Sequence, residues 1–147
     1  MMTVLRIALG GLLAVSSAMD IRERYIYAEP FWIFAAVCLA ARFAVYEPGE
    51  AGVFLAAGAV PGAAALILSR ISGSLGEGDA WCILAAGLCC GLEETVLMCI
   101  TALLAVCIVF LPYVVVRRKG RGFKVPFVPF LFGAFVLICA GGVLYAE

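Results

Sequence analysis

The sequence predicts an all-α polytopic membrane protein with six transmembrane helices, forming a single membrane-embedded domain over residues 1–147. Three observations carry that reading. Of the 147 residues, 66% are hydrophobic and only 14% charged, whereas a soluble domain is nearer half apolar and a quarter charged. The apolar residues gather into six stretches that fill most of the chain. The charges between those stretches change sign from one connection to the next.

The expected spans are residues 3–19, 31–46, 52–69, 80–92, 95–116 and 126–146. A bilayer core of about 30 Å needs about 20 residues of helix. The fourth stretch, 80–92, rises only about 20 Å at 1.5 Å per residue, so it must extend into its flanks, lie in thinned membrane or stop short of crossing. The first stretch carries Arg6 and small residues near its end, like a secretory leader. Arg22 and Arg24 follow it at once, which suits a retained span better, because translocated flanks avoid such charges.

Orientation comes from the connections. Arg22 and Arg24 follow the first span and Arg70 the third, while Arg117, Arg118, Lys119, Arg121 and Lys124 follow the fifth. The alternate connections hold Glu47, Glu50, Glu93 and Glu94 without Lys or Arg. Basic connections stay in the cytoplasm, so both termini are expected outside. Arg6 and Arg42 are expected to snorkel toward the outer interface, and the basic cluster after the fifth span to contact anionic lipid.

The missing residue types exclude whole chemistries. The chain has no His, Asn or Gln. That removes serine and cysteine catalysis through imidazole, and HExxH zinc sites. Net charge is zero with no basic tail, so nucleic acid is not an expected partner. The seven cysteines all lie in apolar stretches without a CxxC pair. They read as small packing residues rather than as a metal or disulfide framework.

Only two aspartates occur, Asp20 at the end of the first span and Asp79 at the start of the fourth. In the derived topology both stand at the cytoplasmic edge. Each alone would serve as an interfacial stop or a helix cap. Asp79, however, ends the run Gly76-Glu77-Gly78-Asp79, where glycines permit close backbone approach. The P-loop Gly-Lys-Ser/Thr ending is absent, and an acid would repel phosphate. Two carboxylates brought together can share one proton. The ionised partner then takes a proton from water while the protonated one polarises a carbonyl. That chemistry needs no His, metal or cofactor.

The residues from Asp20 to Ile26, with Arg22 and Arg24 at alternate places, resemble the Asp-x-Arg-x-Arg-x-Ile signature of bacterial type IV prepilin peptidases. Gly76-Glu77-Gly78-Asp79 is similar to their GxGD box. Pro126-Phe127-Val128-Pro129-Phe130-Leu131 is similar to the stretch that opens their last helix. The resemblance covers essentially the whole chain. It implies a membrane-embedded aspartic endopeptidase that removes the basic leader from prepilins or pseudopilins at the cytoplasmic face. Asp20 and Asp79 would be the catalytic pair, and Gly76 and Gly78 would shape the loop that admits substrate. Glu23, Glu29 and Glu77 are candidate contacts for the leader.

Three departures stand beside the resemblance. Tyr27 and Ala28 replace the usual Pro-Asn, and Trp81 replaces a Lys two places beyond the second Asp. The CxxC-bearing cytoplasmic domain that methylates mature pilins is missing, so cleavage without methylation is expected. Two rival readings remain: a small proton or cation carrier using the acids, and a non-catalytic scaffold of the same fold. A carrier would place its acids near the midplane within an internal repeat, and no such repeat is evident.

Overall fold

The computed structural model describes residues 2–22, 29–72, 76–117 and 126–145. Among these the chain is all-helical. Its order is α1 (Met2–Arg22), α2 (Glu29–Val45), α3 (Pro48–Ser72), α4 (Glu77–Cys90), α5 (Leu92–Arg117) and α6 (Val128–Tyr145). Among the described residues three helices hold runs long and apolar enough to cross a membrane: Thr3–Arg22, Pro48–Ile71 and Leu92–Phe110. The helices α2 and α4, at 17 and 14 residues, are shorter.

The short α4 sits at the centre of the bundle, packed against α1, α2, α3 and α5. Ala80, Cys82, Ile83, Ala85, Ala86, Gly87 and Cys89 are all buried, covering more than one helical face. Large exposed apolar side chains stud the other five helices, such as Ile7, Ile33, Val53, Ile108 and Leu137, but none among the described residues lies on α4. This resolves the expected problem of the short fourth span. A helix enclosed by protein need not match the thickness of lipid, because its neighbours satisfy its ends.

Small residues let α3 and α4 touch, as in many bundles where packing rather than water exclusion drives association. A Cβ on Gly58 would strike the Gly87 carbonyl oxygen, and one on Gly87 would strike that of Gly58. Four residues further along α3, a Cβ on Gly62 would collide with the Leu84 backbone. On the other side, Leu5, Leu9 and Leu13 form the buried stripe of α1 at helical spacing. Gly10 leaves room for the Phe135 ring of α6, while Phe110 of α5 meets Phe130 of α6 edge-on at 5.8 Å.

Two expectations change. Glu93 and Glu94 do not form a loop but lie in the first turn of α5. A single residue, Gly91, joins α4 to α5, at φ 90°. Only glycine adopts that angle without strain, and the close Phe54 ring leaves no space for a side chain. Nor does Arg42 snorkel outward. It is buried, 7% exposed, because its Nη2 donates to the Cys89 carbonyl at 2.8 Å. Arg6, in contrast, is part-exposed and pairs with Glu94.

Candidate active site

The contacts sort the helix ends into two levels. Arg6 with Glu94, and Arg42 with Cys89, mark one end of the bundle. Asp20, Trp32, Glu77, Asp79 and Trp81 mark the other. There α1 finishes and α4 begins, so the two helices run antiparallel. Asp20 falls in the last turn of α1 and Asp79 in the first turn of α4.

One turn deeper, the buried Ser16 hydroxyl lies within hydrogen-bonding reach of the Cys82 thiol. Ser16 precedes Asp20 by four residues and Cys82 follows Asp79 by three, so each pair shares a helix face. That register sets Asp20 and Asp79 at the same level of the α1–α4 interface, near enough for the charge of Asp20 to act on Asp79. Both side chains are half-buried. The Oδ2 of Asp20 is closed off from solvent.

The GxGD residues acquire distinct roles. Gly76 precedes the helix in an extended conformation, φ −68° and ψ 139°, which any residue could adopt. Space, not backbone freedom, explains its glycine. A Cβ there would press on Asp79 Oδ2 at 3.1 Å. Instead the Gly76 amide donates to that oxygen at 3.3 Å, and the Asp79 amide donates to the Gly76 carbonyl at 3.1 Å. An acid accepting from the capping residue's N–H is the return half of a capping box, and the helix N-terminus favours its charge. Gly78 is already inside the first turn of α4 rather than in a loop, which corrects the expectation for it.

The remaining candidates scatter around the pair. Glu77 is exposed and reaches Arg70 Nε at 3.8 Å. Glu29 opens α2 and is exposed. Together with Met19, Val15, Gly11 and Phe34 it lines an open, largely apolar groove of about 630 Å³ between α1 and α2. The groove reaches the residue before Asp20. Glu23, Tyr27 and Ala28 lie outside the described residues. Among the described residues no group of acids and thiols is arranged to hold a metal ion.

Trp81 has a partner that the sequence reading did not supply. Its ring meets Trp32 of α2 at 4.9 Å between centroids. The signal available in the sequence was a Trp at the start of each of two helices at the same level, where indoles anchor.

The fold and site therefore define a helical bundle with membrane-spanning character and a carboxylate pair at one end. The family model of the type IV leader peptidases matches residues 7–115, well over half of the chain. The chain belongs to that family and is a peptidase of its kind. No curated protein matches it, and no solved structure does.

Proposed function

We propose that the chain is an intramembrane aspartic endopeptidase that removes the basic leader from type IV prepilins or pseudopilins, with Asp20 and Asp79 as its catalytic groups. The observation that carries this reading is that those two carboxyls, the only aspartates in the chain, stand at the same end of α1 and α4, where the charge of Asp20 acts on Asp79. Like charges so placed do not both ionise readily, and the pair holds one proton. The ionised carboxylate takes a proton from a water between them, and that water attacks the scissile carbonyl. The protonated carboxyl donates to the carbonyl oxygen as charge develops there. Collapse of the tetrahedral intermediate passes a proton to the leaving amine, and the peptide bond breaks.

All six helices cross the membrane in this account, α4 within the shelter of its neighbours. The basic connections support a cytoplasmic position for the Asp20–Asp79 end. Glu29 and Glu77 at the same end, together with Glu23, draw in the basic leader. Acids at a helix end fit a peptidase site better than the carrier reading, which would bury them midway along the helices. The test is direct: incubate purified protein with a prepilin-like peptide and identify the leader fragment by mass. Release of that fragment supports the reading, and intact peptide under conditions where the protein is folded contradicts it.

A further inference from the structure

We infer that Arg42 is a positioning residue for the proposed reaction: by holding the C-terminal end of α4 at the Cys89 carbonyl, it sets the depth at which Asp79 stands beside Asp20. The inference rests on the catalytic reading above for its activity readout, though not for its geometry.

Helix α4 is a strut of 14 residues with Asp79 in its first turn and Cys89 in its last. Ten residues separate these two, about 15 Å of rise at 1.5 Å each. A rigid strut transmits any axial shift of one end to the other. At 14 residues it is too short to be anchored in both interfaces, so its depth must be fixed by neighbouring helices. At the Asp79 end, Trp81 rests on Trp32 of α2. At the far end the same α2 supplies Arg42, ten residues or about three turns along.

The chemistry of that far contact is specific. Carbonyls in the last turn of a helix lack partners within the helix and carry its negative pole. Arg42 brings a buried cation to one of them, donating to Cys89 O at 2.8 Å. The guanidinium lies over the Phe54 ring of α3 at 3.7 Å, with Tyr46 at 5.6 Å. Its Nε is buried with no hydrogen-bond partner among the described residues. A charge buried on these terms is costly unless its surroundings hold it in place. Arg42 therefore draws α2, α3 and the end of α4 into one fixed arrangement. No part of it is near the carboxylates.

Two variants and two readouts test this. Arg42→Met keeps the stem and removes the donor, while Arg42→Lys restores a cation that can reach a carbonyl but cannot lie flat on Phe54. Cleavage by Arg42→Met should fall about 10²-fold in kcat, the scale of a misplacement of about an ångström, with KM unchanged. Arg42→Lys should recover most of the loss.

The second readout needs no activity. In a background keeping only Cys82, a Ser16→Cys substitution places two thiols at the α1–α4 contact, and mild oxidation should join them efficiently. Adding Arg42→Met should slow that bond markedly. If Arg42→Met does not accumulate, Arg42→Gln, too short to reach Cys89 O, carries both measurements. A wild-type kcat, or a lowered kcat with undiminished bond formation, overturns the inference. Failure of the catalytic reading itself would appear separately, as cleavage that survives Asp20→Asn.

Discussion

Gly58 of α3 and Gly87 of α4 face each other so closely that a methyl group on either would collide with the carbonyl oxygen of the other. The contact sets the spacing of the two helices, and through it the place of α4 in the bundle. The position of Asp79 beside α1 depends on where α4 lies.

Substituting either glycine should therefore destabilise the fold. Gly58→Ala and Gly87→Ala are each expected to cost about 1–3 kcal/mol, the usual range for overpacking. The double variant should cost less than the sum, because the two residues share one contact. Gly133→Ala is the control: it is exposed, with no atom near its missing Cβ. Thermal unfolding in detergent measures all four, and an unperturbed Gly87→Ala would show that the helices do not touch there.

Glu77 stands between the two glycines of its box but belongs to the surface. It is 64% exposed on its side chain and reaches Arg70 at 3.8 Å. Exposed pairs contribute roughly 0–1 kcal/mol. Glu77→Gln should accordingly retain substantial cleavage activity and full stability, apart from a modest rise in KM for the most basic leaders.

Topology is open to labelling. In a cysteine-free background, a cysteine at Glu50 should react with an impermeant reagent applied outside intact cells, and one at Glu77 should not. The expectation follows from the sign of charge in successive connections and from the opposite ends of α4 at which Asp79 and Cys89, the partner of Arg42, stand. Reaction of the Glu77 position from outside would invert the scheme.

Much of this architecture was legible in the sequence, and what escaped has physical causes. The apolar stretches located all six helices because lipid-facing positions need not alternate with polar ones, so composition alone marks them. Asp20 and Asp79 stood out because the chain has no other aspartate and almost no competing chemistry. The central burial of α4 was hidden, since a helix apolar all round looks the same in lipid as in protein. The place of Arg42 was hidden for a related reason. A lone Arg near the end of a span ordinarily snorkels, and only the carbonyl of a helix distant in sequence draws it inward. Gly91 reads as one small residue among sixteen glycines, although it alone separates α4 from α5. The resemblance implies a loop role for Gly78, whereas the residue lies in the first turn of α4.

The central claim is that Asp20 and Asp79 act as one unit, and substitution kinetics on a prepilin-like peptide test it most directly. Asp→Asn keeps the shape of each side chain and removes the ionisable oxygen. Asp20→Asn and Asp79→Asn should each abolish release of the leader fragment while leaving insertion and thermal unfolding unchanged. The double variant should lose little more than either single one, as expected of groups that work together. Asp20→Asn cleaving near the wild-type rate, with Glu77→Gln inactive, would show that the pair had been assigned to the wrong residues.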